Sequence, residues 1–169
     1  MRAVDLELFK PELVFFDFEA ANRDELFEKL ANELAPYGYI KDSWLVGIKK
    51  REETSPTGLA FETVSVALPH VDPEHLNKPY IAVIKPKEPI AFRGMAGIDG
   101  DVPAQIIVNL GLTAHEEGQV AVLQALMGVF LDTDAVSRIM AQTTPEGMVE
   151  TMRELCSQPC AQGEPMGAR

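Results

Sequence analysis

The spacing of apolar residues changes several times along the chain, and each change predicts a new element. Residues 12–18, ELVFFDF, place aromatic residues and Val between polar ends, which predicts a strand. Residues 22–38 carry apolar positions at helical spacing, which predicts an amphipathic helix. The residues that share its apolar face are Leu26, Phe27, Leu30 and Leu34. Asn22 is the predicted cap, and Gly38 lies where this helix should end.

The middle of the chain indicates one more helix and then short strands joined by loops. That helix spans residues 41–53, with Asp42 or Ser43 as its cap. Residues 55–61 and the glycine-rich stretch 93–103 are predicted to be loops. The segments that predict strands or short extended pieces are 64–68, 79–85, 90–92 and 104–112.

Three helices are predicted in the C-terminal part. The longest runs from about Glu116 to Leu131. Its expected apolar stripe consists of Val120, Leu123, Met127 and Phe130. Residues 132–143 and 144–155 each begin with a residue type that caps helices, so each predicts a further helix.

The order of these elements indicates an α/β fold. We expect a three-layer sandwich in which a mixed central β-sheet is flanked by helices on both faces, because tight turns between some strands favour a mixed sheet over a fully parallel one. A chain of 169 residues is long enough for one domain with a sizeable core. We assign that domain to residues 1–156 and expect residues 157–169, which show no pattern, to be a disordered tail.

The charge of the chain narrows the class of partner. A formal net charge of −11 repels phosphate backbones and anionic lipid, so nucleic-acid binding and a membrane-surface role are not expected. No apolar run approaches the ~20 residues that cross a bilayer, so we expect no direct membrane insertion. The N-terminus lacks the apolar core of a signal peptide. These features predict a cytoplasmic protein whose partner carries basic residues.

Cysteine and metal chemistry are not indicated. The two cysteines, Cys156 and Cys160, form a C-x3-C pair in a stretch that looks flexible, and no second pair of ligands lies nearby. No cluster of Asp, Glu and His has metal-ligand spacing. We therefore expect neither a metal nor a cofactor, and two unpaired thiols fit a reducing compartment.

His70 is the first candidate for chemistry. Val64, Val66 and Leu68 share one face of a strand that is apolar on both sides, and this indicates a buried, central strand. Pro69 lacks an amide donor and should end the pairing of that strand. His70 then emerges at its carboxyl end, where open α/β sheets bind ligands. The alternative is a loop histidine that only contacts solvent.

Two further segments offer partners for His70. Residues 49–59 contain Arg51, whose planar fork of donors matches phosphoryl oxygens, although the segment taken alone is better explained as a solvated helix end whose cations interact with the helix dipole. His115 follows the strand at 104–112 and can lie close to His70, although a histidine near a helix start is also common as a cap or surface residue. His75 is most simply a solvent histidine. Neither a nucleophile elbow nor a nucleotide-binding glycine loop is present. The remaining chemistry is covalent catalysis by histidine itself.

Four motifs in the order of the chain resemble a known family. They are "RE" at 51–52, "PTGL" at 56–59, "VALPHVD" at 66–72, and the helix after "AQIIVNLGL". Over about residues 10–155 the chain is similar to the IIA component of the bacterial sugar phosphotransferase system, of the fructose–mannitol superfamily. The galactitol-type branch is the most similar, because its spacer between the arginine and the histidine is long, as it is here.

The resemblance implies a phosphoryl carrier. Phosphorylated HPr would donate to His70, and His70 would pass the group to a cysteine of a IIB protein, for transport of galactitol or a related polyol through a IIC permease. Arg51 would face the phosphoryl group. His115 would be the second histidine beside the active one, although the register also allows Glu117 at that place. The alternatives are a regulatory, nitrogen-type IIA protein and a binding module without turnover.

Overall fold

The computed structural model of the chain describes residues 4–95, 100–113 and 116–157. Among these residues, the strands are β1 (Phe9–Phe18), β2 (Gly58–Ala60), β3 (Ser65–Ala67), β4 (Tyr80–Pro86), β5 (Ile90–Arg93), β6 (Asp101–Ala104) and β7 (Ile106–Gly111). The α-helices are α1 (Arg23–Leu34), α2 (Trp44–Thr54), α3 (Glu116–Leu131), α4 (Thr133–Met140) and α5 (Pro145–Ser157).

Five strands form one mixed sheet in the order β1-β4-β7-β3-β2. The β1–β4 and β3–β7 pairs are parallel, whereas the β4–β7 and β2–β3 pairs are antiparallel. Strands β5 and β6 form a separate antiparallel pair. The mixed sheet predicted from the short connections is therefore confirmed.

Strand β4 shows how the sheet supports a helical layer on each face. Its alternate residues point to opposite sides, as the pleat of a strand requires. Tyr80 and Ile84 join the core that holds the apolar residues of α1 and α2. Ile81 and Val83 join the core that holds those of α3, α4 and α5. The three-layer sandwich is confirmed, and both faces of β4 are apolar because both are covered.

Helix α1 follows its sequence pattern closely. The side chain of Asn22 accepts a hydrogen bond from the Glu25 amide at 2.9 Å and caps the helix. The predicted apolar face is fully buried, at Leu26, Phe27, Leu30 and Leu34. Gly38 has a φ of 79°, a left-handed conformation in which glycine ends the turn without strain.

Two predicted loops contain strands. Residues 55–61 include β2, which pairs with β3 along its whole length, and the stretch 93–103 leads into β6. Strand β2 has three residues and β6 has four, and the glycine and proline residues in and around them are typical of loops. Gly58 also explains why β2 looked like a loop. A Cβ there would lie 2.8 Å from the Arg93 carbonyl oxygen, so the glycine permits close approach of two backbones.

Helix α3 spans the predicted residues, and its predicted stripe is only partly correct. Phe130 of that stripe is buried, Leu123 and Met127 are partly buried, and Val120 is 45% exposed. The other buried apolar positions of the helix are Val122, Leu126 and Val129. Nearly every residue between Val120 and Leu131 is apolar, so the sequence lacks the polar contrast that would mark the inner face.

Among the described residues, no single helix is long and apolar enough to span a membrane. One pair, Gly118–Leu131 with Thr133–Met140, meets the length and composition criteria jointly, although it is bent by 89°.

Candidate functional site

His70 lies just beyond the end of β3 and is buried, with 7% of its surface exposed. The alternative of a loop histidine in solvent is therefore wrong. Pro69 does not end the pairing with β7, since its carbonyl oxygen accepts a hydrogen bond from the Leu110 amide at 2.9 Å. His70 itself bridges to Leu110. The proline lacks a donor, as expected, but its acceptor continues the parallel ladder and holds His70 against the sheet.

The tautomer of the His70 ring follows from its hydrogen bond. Nδ1 lies 2.9 Å from the carbonyl oxygen of Leu68. A carbonyl oxygen can only accept, so Nδ1 carries the hydrogen. In the neutral ring the lone pair is then on Nε2, which is the nitrogen able to attack an electrophile.

Burial keeps this ring neutral. Desolvation is the largest influence and lowers the pKa of His70 below the ordinary value of 6.5. The hydrogen bond to the Leu68 carbonyl opposes this effect, the charge of Arg51 adds to it, and the charge of Asp72 opposes it. Because the net direction is downward, a neutral, nucleophilic imidazole predominates at neutral pH.

Arg51 extends from the last turn of α2 toward the same region. Its Nη1 donates to the carboxylate of Asp72, and about one third of its side chain remains exposed. Its Nε is buried and has no hydrogen-bond partner among the described residues. The structure thus brings Arg51, Asp72 and His70 within electrostatic reach of one another. The exposed third of the Arg51 side chain can meet an incoming anion.

A cleft of about 480 Å³ borders Arg51. Lys50 and Arg51 contribute cations to its lining, and Ser43, Gly47, Asp72 and His75 lie around them. Glu74 also lines the cleft, so its two cations face two carboxylates, and the cleft is a mixed-charge surface without a net positive charge. Any attraction for an anion is therefore local to the two cationic side chains.

His75 is not the solvent histidine that the sequence suggested. Its side chain is 18% exposed, and its Nδ1 lies 2.8 Å from the hydroxyl oxygen of Ser43. Its ring packs on Gly47, where a Cβ would lie 2.7 Å from the imidazole. Ser43 occupies the predicted cap position of α2 but makes no capping bond, because its side chain faces His75. Ser43 and Gly47 are distant from His75 in the sequence, so these contacts could not be predicted from the residues around His75.

A buried carboxylate beside Arg51 was missed. Glu52 is 1% exposed and accepts hydrogen bonds from the amide and hydroxyl of Thr57, at 2.8 and 2.9 Å. Burial raises its pKa to about 7, against the opposing hydrogen bonds from Thr57 and the charge of Arg23. A signal was available, since Trp44, Ile48 and Glu52 follow at four-residue spacing on the buried face of α2.

Three other predicted features fall partly outside the described residues. His115 lies outside them, and for Glu117 only the backbone, within α3, is described.

Cys156 is buried in α5, so its predicted location in a flexible stretch is wrong, and burial raises its thiol pKa to about 12. Cys160 lies outside the described residues. Within the described part of the chain, no group of three or more His, Cys, Asp or Glu residues is arranged to hold a metal ion.

Comparisons with known proteins give a consistent result. Residues 7–154 match the family model described as "Phosphoenolpyruvate-dependent sugar phosphotransferase system, EIIA 2". The galactitol-specific EIIA component of the phosphotransferase system (PTS) of Escherichia coli K12 is 27% identical over 125 residues, 74% of this chain and 81% of that protein.

Two solved structures show the same fold. The PtxA protein of Streptococcus mutans, described as a PTS IIA, has a TM-score of 0.71 at 20% identity, covering 93% of this chain and 97% of that one. A chain from the Escherichia coli complex of enzyme IIA-Mtl with phosphorylated enzyme IIB-Mtl has a TM-score of 0.64 at 21% identity. It covers 86% of this chain and 94% of that one.

Proposed function

This chain belongs to the EIIA 2 family of the phosphoenolpyruvate-dependent sugar phosphotransferase system, and we propose that His70 is the residue on which it carries the phosphoryl group. The family and the galactitol-specific relative make the chain a phosphoryl-carrier IIA component. The observation that supports His70 is the bond from its Nδ1 to the Leu68 carbonyl, which directs the lone pair of a neutral ring to Nε2.

The proposed first step is an attack of Nε2 on the phosphorus of a phosphohistidine of HPr. A nitrogen–phosphorus bond forms on His70 as the corresponding bond of the donor breaks, and the electron pair of that bond returns to the donor ring. His70 keeps its Nδ1 hydrogen throughout, so no net proton transfer is needed. The Leu68 carbonyl then stabilises the positive charge that the substituted ring acquires.

The second step returns His70 to its starting state. A cysteine thiolate of a IIB protein attacks the phosphorus, a sulfur–phosphorus bond forms, and the bond to Nε2 breaks. The electron pair of that bond restores the neutral imidazole. Both steps need alignment and charge stabilisation more than new covalent chemistry.

Arg51 is the proposed source of charge stabilisation. Its guanidinium borders the cleft and acts on the charge of His70, and its buried Nε is a donor without a partner among the described residues. A phosphoryl oxygen would accept from the guanidinium, since about one third of the Arg51 side chain is exposed. A hydrogen bond between two charged groups in this partly buried place is stronger than one in water.

We propose the cytoplasm as the site of this exchange, with phosphorylated HPr as donor and a IIB protein of a IIB/IIC permease as acceptor. Galactitol or a related polyol is the proposed cargo, supported by the galactitol-specific relative. A regulatory role, in which the phosphoryl group never reaches a sugar, is the alternative that the acceptor experiment separates.

The decisive experiment is phosphorylation by phospho-HPr. Wild type should acquire one acid-labile, base-stable phosphate on His70, and His70→Ala should acquire none. His75→Ala is the matched control, because it removes a nearby histidine that we place outside the reaction, and it should accept phosphate at the wild-type rate. Phosphorylation of His70→Ala at the wild-type rate would refute the proposal.

Arg51→Ala should slow transfer on the order of a hundredfold while circular dichroism stays unchanged, since loss of one stabilising donor typically costs that much. Lys50→Ala is the matched control, because it removes an adjacent cation of the same cleft. Equal rates for the two variants would remove Arg51 from the reaction.

Two further arms complete the test. Labelled phosphate on His70 should move to the cysteine of a galactitol-type IIB protein, and failure to move to any IIB protein would favour the regulatory role.

His115 is proposed to orient the phosphorylated ring. His115→Gln should therefore shorten the lifetime of phospho-His70 while Glu117→Gln leaves it unchanged, and the reverse result would assign that place to Glu117.

A further inference from the structure

A network of fully buried hydrogen bonds, formed by Trp44, Tyr80 and Asn109, runs through the domain to the residue before His70. Trp44 Nε1 lies 3.1 Å from the hydroxyl of Tyr80, and that hydroxyl lies 2.6 Å from Oδ1 of Asn109. Asn109 Nδ2 lies 3.1 Å from the carbonyl oxygen of Pro69. Trp44, Tyr80 and Asn109 are each 0% exposed. The proposed reacting residues, His70 and Arg51, are not members of this hydrogen-bond network.

The chemistry of the groups fixes the direction of every bond. The Pro69 carbonyl can only accept, so the Asn109 amide nitrogen faces it and the Asn109 oxygen faces Tyr80. The Tyr80 hydroxyl must then donate to Asn109. The indole of Trp44 can only donate, and it donates to the Tyr80 oxygen. No other assignment satisfies all three contacts.

The hydrogen-bond network joins the two segments that hold the proposed reacting residues. Trp44 is the first residue of α2, the helix that carries Arg51, whereas Pro69 precedes His70. The Pro69 carbonyl receives a second donor, the Leu110 amide at 2.9 Å, so both of its lone pairs are engaged. Two donors from β7 therefore fix the plane of the Pro69–His70 peptide.

Stability alone does not require these polar groups. Replacing both partners of a buried hydrogen bond by apolar groups of similar shape is often nearly neutral, whereas a fully satisfied network specifies one geometry. The network therefore adds orientation, and what it orients is the peptide that leads into His70.

We propose that Tyr80 and Asn109 are positioning residues for phosphoryl transfer, holding His70 in line with Arg51 through the Pro69 carbonyl. This inference rests on the proposed function of His70. Its physical basis is that transfer depends steeply on alignment, since a displacement of about 1 Å can cost on the order of a hundredfold in rate.

The test uses Tyr80→Phe, which removes one oxygen and keeps the ring. Phosphorylation of His70 is followed with phospho-HPr and, separately, with potassium phosphoramidate, a small donor that needs no protein docking. We expect both rates to fall on the order of tenfold, because misalignment affects the chemical step with either donor. Val136→Ala, a buried α4 substitution on the other face of the sheet, is the control for lost stability and should leave both rates unchanged.

A double-mutant cycle separates positioning from general loss of structure. If Tyr80 aligns His70 with Arg51, Tyr80→Phe should slow transfer much less in an Arg51→Ala background than in wild type. The same slowing in both backgrounds would mean that Tyr80 is merely structural, and the inference would be wrong. Should Tyr80→Phe not fold, Tyr80→Phe combined with Asn109→Leu removes both partners of the 2.6 Å bond and should show the same coupling.

The failures of the two proposals look different. If wild type carries no phosphate on His70, the proposed function fails. If wild type is phosphorylated on His70, and Tyr80→Phe reacts as fast as wild type with each of the two donors, only the positioning role is refuted.

Discussion

Glu52→Gln should stabilise the protein at high pH and have little effect at low pH. The glutamine has the shape of the glutamate, and its amide oxygen can accept from the Thr57 amide while its amide nitrogen donates to the Thr57 hydroxyl. What the substitution removes is a buried negative charge. Glu52 is 1% exposed, so that charge is costly where it forms.

The magnitude follows from the pKa of Glu52. Burial raises this pKa from 4.5 to about 7, so the folded protein binds more protons than the unfolded chain between these values. The contribution of Glu52 to wild-type stability therefore falls as pH rises through this window, by about 3 kcal/mol at about 1.4 kcal/mol per pKa unit. Glutamine does not titrate, so the variant lacks this loss.

Urea unfolding of both proteins between about pH 5 and about pH 8 measures the effect. The free energy of unfolding of Glu52→Gln, relative to wild type, should rise by about 2 to 3 kcal/mol across that range. Other carboxylates cancel in this difference. Glu53→Gln, which removes an exposed carboxylate of the same helix that lies 3.8 Å from Arg23, is the matched control, and the difference for Glu52→Gln should change more with pH than the difference for Glu53→Gln. A flat difference for Glu52→Gln would refute the buried-carboxylate argument.

Three further predictions test the packing and electrostatics of the site. Gly111→Ala should cost about 1 to 3 kcal/mol in thermal unfolding, because its Cβ would lie 2.1 Å from the Tyr80 ring. Gly47→Ala should also lower the melting temperature, and His75→Ala in the same chain should restore most of the loss, since the clash is with that imidazole. By NMR, His70 should titrate below pH 6.5, and a midpoint at or above that value would contradict its desolvation.

Much of the fold could be predicted because strong local patterns coincide with tertiary packing. In α1, the cap at Asn22 and the apolar face have one consistent solution, and the structure adopts it. In α3 the apolar residues surround the helix, so the inner face is decided by contacts with the sheet rather than by periodicity. Strand β2 is defined by pairing with β3, a contact that three residues of sequence do not encode.

The site was predictable only in part, because local sequence patterns do not show contacts between residues that are distant in the sequence. His70 could be located from the end of an apolar strand, and Arg51 from the match of its donors to phosphoryl oxygens. The role of Asn109 could not be recognised, because a polar residue inside an apolar strand gains meaning only from the groups that surround it. The contacts of His75 are equally non-local, since Ser43 lies 32 residues away.

Burial and charge act together at His70 in a way that suits a carrier under the proposed function. Arg51 and Asp72 affect the His70 charge in opposite directions, so desolvation decides the pKa and the free ring is neutral. A phosphoryl group on Nε2 would compete with Asp72 for the Arg51 guanidinium, while the Leu68 carbonyl would stabilise the charged ring from its other side. The guanidinium would stabilise the phosphoryl group only by giving up part of its contact with Asp72, so the net stabilisation is smaller than an unpaired arginine would provide. Reversible transfer requires that balance, because a group bound too firmly on His70 could not pass to an acceptor.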